Sequence, residues 1–146
     1  MLRSARLVIA TVATFAVTAP AAVAAASPSA AVRQVLTEFV TAAYTNNGRL
    51  GCAQLTKAQQ ADTAAQASAG TCAAGFVAAF GHVHGGTLAR AKTAIAHATF
   101  TPRGASATVI FNTPSVTQVL SGNTQGALDF DLARTHGHWL ITQLLS

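Results

Sequence analysis

The chain has 146 residues, of which 51% are hydrophobic, and its formal net charge of +5 comes from nine lysines and arginines against four acidic residues. The basic residues are scattered singly, without the cluster and interleaved aromatic residues of a nucleic-acid surface, which argues against nucleic-acid binding. The positive charge therefore reflects scarce acids rather than a basic patch, and the length suits one domain.

Residues 1–26 have the organisation of a secretory signal peptide. A basic start, "MLRSAR", precedes the apolar run "LVIATVATFAV", and small residues follow Pro20. The pattern predicts cleavage after Ala26, with Ala25 as the alternative. An uncleaved membrane anchor is the competing interpretation, but the apolar run is shorter than the roughly 20 residues that span a bilayer. We therefore expect one mature domain, residues 27–146, without a membrane span, in the cell envelope or released from the cell.

The first predicted element of the mature domain is a helix over about residues 29–46. Ser27 followed by Pro28 is typical of a helix start, because serine caps the first N–H groups and proline fits the first turn. Apolar residues then recur at intervals of three and four as far as Ala43, which indicates one buried face. The asparagines and glycine at 46–48 predict its end.

Two more helices are predicted before the chain changes character. Thr56 and Gln59 fit a capping box that starts the second, and Gly70 ends it. The third begins near Thr71, ends at Gly81, and places three residues on one face: Cys72, Phe76 and Phe80.

The only two cysteines, Cys52 and Cys72, are predicted to form a disulfide. Redox pairs favour C-x-x-C spacing, and a zinc site would need more ligands nearby, whereas cysteines of small exported domains usually pair. Closing a loop of this length should stabilise the fold by roughly 3 kcal/mol.

After Gly86 the apolar period changes from 3.6 to 2, which predicts strands. Residues 91–113 fit a hairpin that turns at 102–104, and a shorter strand is predicted at 116–121. The segments 126–135 and 138–145 fit two final strands joined by a turn at 136–137. Helices followed by a strand meander predict an α+β fold, with the N-terminal helices against a curved antiparallel sheet of about four strands.

This order of elements resembles small secreted bacterial domains of the nuclear transport factor two-like superfamily, also called SnoaL-like or cystatin-like α+β. The resemblance covers nearly the whole mature chain in order of elements, but its specific motifs are few. They are "CAQLT" after the first helix, a second cysteine opening a later helix, and the terminal pattern of Gly137, Trp139 and Ile141. It implies a cone in which a bent sheet wraps a long helix and often leaves an apolar pocket. Superfamily members include isomerases, dehydratases and polyketide cyclases as well as non-catalytic binding or dimerising domains, so the resemblance alone gives no activity.

The favoured interpretation is a non-catalytic domain without a cofactor. It would bind a small apolar ligand in the cone, or a protein partner or second copy across the sheet, through residues such as Phe111, Phe130, Trp139 and Ile141. For any one of these four residues taken singly, a place in the core is the favoured interpretation.

An acid/base enzyme of the isomerase, dehydratase or cyclase kind is the alternative. It would use His97, expected on a strand beside Ile95, together with Tyr44 and one of Asp129 and Asp131. These groups would have to converge on one pocket point, although the aspartates alternate with apolar residues and are expected on a solvated face. Glu38 is expected to be an exposed helix residue.

Metal binding is the third hypothesis, because the chain has two H-x-H pairs, His82/His84 and His136/His138. Both pairs lie beside glycines, at a helix exit and a hairpin turn, and no nearby acid offers a third ligand. A shared site would require His82 and His138 to approach each other, and no metal site is predicted.

Overall fold

The computed structural model describes residues 27–66, 68–81, 86–111 and 128–145, with the side chains of 110–111, 128–129 and 144–145 excepted. The predicted signal peptide and the strand expected at 116–121 lie outside these residues. The helices are α1 (Pro28–Tyr44), α2 (Gly48–Ala53), α3 (Lys57–Gln66), α4 (Cys72–Phe80) and α5 (Leu88–His97). The strands are β1 (Thr99–Arg103), β2 (Ser106–Phe111), β3 (Leu128–Thr135) and β4 (His138–Leu145). They form an open antiparallel sheet in the order β1-β2-β3-β4, so the predicted α+β class is confirmed.

Helix α1 begins within one residue of the predicted start and ends two residues before the predicted end. The Ser27 hydroxyl accepts a hydrogen bond from the Ala30 N–H at 3.3 Å, and Pro28 occupies the first turn. Thr45 is the C-cap, and Asn46 after it has a φ of 53°, in the left-handed region. The buried face of α1 comprises Val32, Val35, Leu36, Phe39, Val40, Ala42 and Ala43.

Helix α2 was not predicted, because its six residues contain two glycines and no apolar repeat. It forms because the Asn47 side chain caps it, accepting from the Leu50 N–H at 3.1 Å, and because it packs closely on α4. A side chain at Gly48 would overlap the backbone of Ala73, and one at Gly51 would overlap the Phe76 ring. The missing side chains therefore let the two helices approach to contact distance.

The predicted disulfide is confirmed and joins these same two helices. Cys52 near the end of α2 is bonded to Cys72 at the start of α4, with 6.1 Å between their Cα atoms. The side chain of Thr71 caps α4 by accepting from the Ala74 N–H at 3.3 Å. The bond thus ties a short, weakly helical segment to a well-capped neighbour.

The capping box predicted at α3 forms only in part. The Thr56 hydroxyl accepts from the Gln59 N–H at 3.4 Å, as expected. The Thr56 N–H, however, donates to the Ile141 carbonyl at 2.9 Å, which leaves it engaged with the sheet. Helix α3 ends at Gln66, before the Gly70 that was expected to stop it.

Helix α5 overturns the prediction of a strand over this segment. The Thr87 hydroxyl accepts from the Arg90 N–H at 3.3 Å, and four of the ten residues are alanine, a strong helix former. Ala91 and Ile95 are buried at helical spacing, whereas the alternation that suggested a strand relied on alanines, which suit either period. The hairpin therefore begins only at Thr99, and its turn lies at 104–105 rather than 102–104.

The core lies between the helices and one face of the sheet. Phe39 of α1 is at its centre, with ring centroids 5.1 Å from Phe76, 5.3 Å from Phe80 and 5.7 Å from Phe130. Edge-to-face geometry of this kind adds to the burial of aromatic surface. The described side chains that the sheet buries are Ala107, Val109, Phe130, Leu132, Trp139 and Ile141.

The two sheet edges differ. β1 forms one edge and includes Pro102, which has no N–H to donate, and the exposed Arg103. β4 forms the other and is covered at Ile141 by a parallel bridge from Leu55.

In the part of the chain that the structure describes, no helix has both the length and the apolar character needed to cross a bilayer.

Gly48→Ala tests the contact between α2 and α4. A glycine-to-alanine change in a helix ordinarily stabilises by about 0.5–1 kcal/mol, but here the added methyl group overlaps the Ala73 backbone, which cannot rotate away. We expect the free energy of unfolding, measured by chemical denaturation, to fall by about 2 kcal/mol. Arg49→Ala, at the exposed neighbouring position, should change it by less than about 0.5 kcal/mol. Stability at or above wild type for Gly48→Ala would contradict the packing.

Candidate binding groove

A groove of about 300 Å³ lies between residues 31–38 of α1, the end of α2 and the start of β4. This volume is at the lower limit for small-molecule sites. Its lining combines apolar and polar side chains, among them Val35, Glu38, Gln54, His138, Trp139 and Leu140. We call this cavity the α1–β4 groove.

Glu38 is the half-buried acid of the groove, and two amides hold its carboxylate. The Gln34 Nε2 donates to Oε1 at 3.0 Å, and the Gln54 Nε2 donates to Oε2 at 2.9 Å. Among the described residues, no basic side chain forms an ion pair with this carboxylate. Neutral donors therefore orient the carboxylate, and no opposite charge among the described residues compensates it.

Both the side chain and the main chain of Gln54 are hydrogen-bonded, so Gln54 holds the Glu38 carboxylate in a defined position. Only 7% of the residue is exposed, and its side chain also lies 3.4 Å from the Leu50 carbonyl. Its own backbone carbonyl accepts from the Ile141 N–H at 2.8 Å. The residue thus connects α2, α1 and β4 at one point of the groove.

Sequence reasoning missed this pair for two different reasons. Glu38 was expected to be exposed, although its spacing of four from Gln34 and its place beside the apolar stripe gave a usable signal. Gln54 gave none, because its burial depends on α2, which has no apolar repeat. Together they replace the predicted apolar lining with a charged centre.

Three of the four residues predicted to form a ligand or partner face lie in the core. Phe130 and Ile141 are fully buried and Trp139 is 6% exposed, while the Phe111 side chain lies outside those described. Of the three described side chains, only Trp139 lines the α1–β4 groove, and its ring lies 6.5 Å from that of Phe100.

The residues of the acid/base hypothesis do not come together. His97 is exposed in the last turn of α5, so its predicted strand position is wrong. Arg33 donates to the Ala98 carbonyl at 3.4 Å, which places the end of α5 about 16 Å along α1 from Tyr44. Asp131 faces away from the core and accepts from the Thr108 hydroxyl at 2.8 Å. The side chain of Asp129 lies outside those described.

The histidine pairs supply no metal centre within the described residues. His136 and His138 are exposed on either side of the turn between β3 and β4, and His82 and His84 lie outside the described ranges. No cluster of three or more histidine, cysteine, aspartate or glutamate side chains occurs where the structure describes the chain.

Gln54→Glu tests the contact with Glu38 through its pH dependence. Two adjacent carboxylates raise the pKa of one above its usual value of about 4.3, so the variant is destabilised above that pH and recovers below it. We expect a loss of about 2 kcal/mol in unfolding free energy at pH 7 and little loss at pH 4. The double variant Gln54→Glu with Glu38→Gln restores an acid–amide pair and should recover stability at pH 7. Equal losses at both pH values would rule out the contact.

Tyr44 provides a second pH test, because it is the only tyrosine. Burial raises its pKa above the ordinary 10.0 by disfavouring the phenolate. Its contribution to stability is therefore full below pH 10 and is lost as pH rises through the folded pKa. Absorbance of the phenolate at about 295 nm should titrate at higher pH in the folded protein than in urea. Coincident curves would contradict the burial.

No family model matches this chain, and neither does any curated protein or solved structure. The superfamily resemblance consequently stays a prediction. The function has to be argued from the chemistry of the α1–β4 groove itself.

Proposed function

We propose that this protein is an exported, non-catalytic binding domain whose α1–β4 groove takes the cationic group of an organic ligand or partner. One observation carries the proposal: the half-buried carboxylate of Glu38 is positioned by Gln34 and Gln54 but has no positive partner among the described residues. The sequence predicts an apolar ligand. Because Glu38 lines the groove, the ligand proposed here also carries a positive charge.

The electrostatics of the groove favour a cation. Desolvating a carboxylate is costly unless hydrogen bonds or an opposite charge offset the loss of water. Two amide donors stabilise Glu38 without neutralising it, so an ammonium or guanidinium group can add a charge-assisted hydrogen bond. Val35 and Leu140 provide apolar surface for the carbon chain of such a ligand.

The same geometry offers little for catalysis. The groups that hold Glu38 are amides, which neither donate nor accept protons in reactions near neutral pH. Of the acid/base candidates whose side chains the structure describes, namely Tyr44, His97 and Asp131, none lines the groove. The oriented carboxylate and the apolar side chains of the groove suit binding instead.

The disulfide is compatible with the predicted export. Such bonds persist in oxidising compartments and are rare in the cytosol, and this one joins Cys52 to Cys72 within the fold. Together with the signal-peptide pattern of residues 1–26, it supports a place of action outside the cytoplasm.

Titration with n-pentylammonium and 1-pentanol tests the proposal. Trp139 is the only tryptophan and lines the groove, so its fluorescence reports occupancy directly. We expect the cation to change the emission saturably, and the neutral alcohol to bind at least about tenfold more weakly. Glu38→Gln, which keeps the shape of the side chain, should remove that preference.

Asp62→Asn is the matched control, since it removes an equal charge from an exposed position on α3. Its affinity for n-pentylammonium should equal that of wild type. Equal affinity of wild type and Glu38→Gln for the cation would refute the proposed function.

A further inference from the structure

We propose that a second cleft, between α3 and β4, binds a neutral sugar unit. Its volume of about 460 Å³ lies within the range of small-molecule sites. Five polar side chains line it: Gln59, Asp62, Gln66, Thr142 and Gln143. We call it the α3–β4 cleft. It shares no lining residue with the α1–β4 groove, so the inference is independent of the proposed function.

Helix α3 lines the cleft with polar side chains because its close packing uses another face. Gln59, Asp62 and Gln66 are spaced by three and four residues, so they form one stripe along the helix. Thr63 is the buried residue of α3, and a side chain at Gly75 of α4 would overlap its carbonyl group. Helix α3 therefore packs on α4 through close backbone contact, and its polar stripe lies beside β4.

A β-bulge in β4 shapes the other wall of the cleft. Leu132 pairs with Ile141. Its neighbour Asp131 pairs with Gln143, so Thr142 is an extra residue in β4. Side chains of a regular strand alternate between faces, whereas a bulge changes their direction, and here two consecutive side chains line one cleft. The Thr142 hydroxyl donates to the Asp131 carbonyl at 3.0 Å, and its oxygen can still accept a hydrogen bond.

The polar side chains of the cleft have unused hydrogen-bonding capacity. Among the described residues, the side chains of Gln59, Asp62, Gln66 and Gln143 form no hydrogen bond or ion pair. Each carboxamide offers two N–H donors and an acceptor oxygen, and the carboxylate only accepts. The cleft therefore presents donors and acceptors side by side to a ligand.

A sugar matches this lining better than other classes of ligand. Each sugar hydroxyl donates one hydrogen bond and accepts others, and donation to Asp62 is charge-assisted. An apolar ligand would leave the carboxamides without partners, and Asp62 would repel an anion. An organic cation gains little from Asp62, which is exposed to water, unlike the half-buried Glu38. A metal ion would need more charged ligands, and the described residues contain no such cluster.

The test titrates the full mature protein, isotopically labelled on nitrogen, with the methyl glycosides of glucose, galactose, mannose and N-acetylglucosamine. The side-chain amide resonances of Gln59, Gln66 and Gln143 report occupancy of the cleft. We expect at least one sugar to shift them saturably, with a dissociation constant of about 1–10 mM, because water competes for the same hydrogen bonds. The side-chain amides of Gln34 and Gln54, in the α1–β4 groove, should not shift.

Asp62→Ala combined with Gln66→Ala removes two cleft groups from exposed positions where alanine favours the helix. This double variant should bind the sugar about tenfold more weakly or worse. Lys57→Ala is the matched control, at an exposed position of α3 outside the cleft, and should change affinity less than about twofold.

Ligand variants test the role of the hydroxyls and the source of the sugar. The fully O-methylated sugar accepts hydrogen bonds but has no hydroxyl to donate, so it should bind at least about tenfold more weakly. An oligosaccharide that binds at least as tightly as the single unit would identify a glycan chain as the source. One that binds more weakly would identify a free sugar.

Three results would overturn the inference. The first is that none of the glycosides shifts the cleft amides at concentrations up to about 50 mM. The second is unchanged affinity of the double variant, which would place the sugar elsewhere. The third is a shift of these amides by n-pentylammonium but by no sugar, which would make the cleft a cation site. None of these results depends on Glu38, so the proposed function stands or fails separately.

Discussion

Two backbone hydrogen bonds between residues 54–56 and Ile141 join the end of α2 to the sheet and place Gln54 in the wall of the α1–β4 groove. They draw the end of α2 against β4, which brings the Gln54 amide within reach of Glu38 on α1. They also occupy the main-chain groups of Ile141 at the β4 edge. Among the described residues, no strand pairs with Trp139 on that edge. A local main-chain contact thus positions one of the two amides that hold the Glu38 carboxylate.

This contact depends in turn on the packing of α2. Six residues with two glycines cannot form a stable helix alone, because nucleation costs more than so few hydrogen bonds return. The glycines instead allow α2 to lie directly on α4, and the Cys52–Cys72 disulfide holds it there. The oxidised state of the protein is therefore coupled to the geometry of a groove that contains no cysteine.

Local signals in the sequence were sufficient for α1, α4 and the hairpin of β3 and β4, since caps, helical spacing and a turn at 136–137 agreed there. They failed at α5, where alanine-rich sequence fits both periods and tertiary packing of Ala91 and Ile95 decided the outcome. Local signals could not predict the site, because Glu38 and Gln54 come together only when α1 and α2 pack against each other. The alternating apolar pattern predicted that Phe130 and Trp139 share one face of the sheet. Only the packed fold shows that this face lies in the core.

Pro102 has a consequence for how the protein behaves at high concentration. Exposed sheet edges are templates on which identical chains can aggregate, and proline interrupts such a template because it has no N–H. With Pro102 and the charge of Arg103 on the β1 edge, and Leu55 across from Ile141 on the other, open-ended stacking of sheets from copy to copy is disfavoured. A short stretch of the β4 edge can then stay open without fibres forming through it.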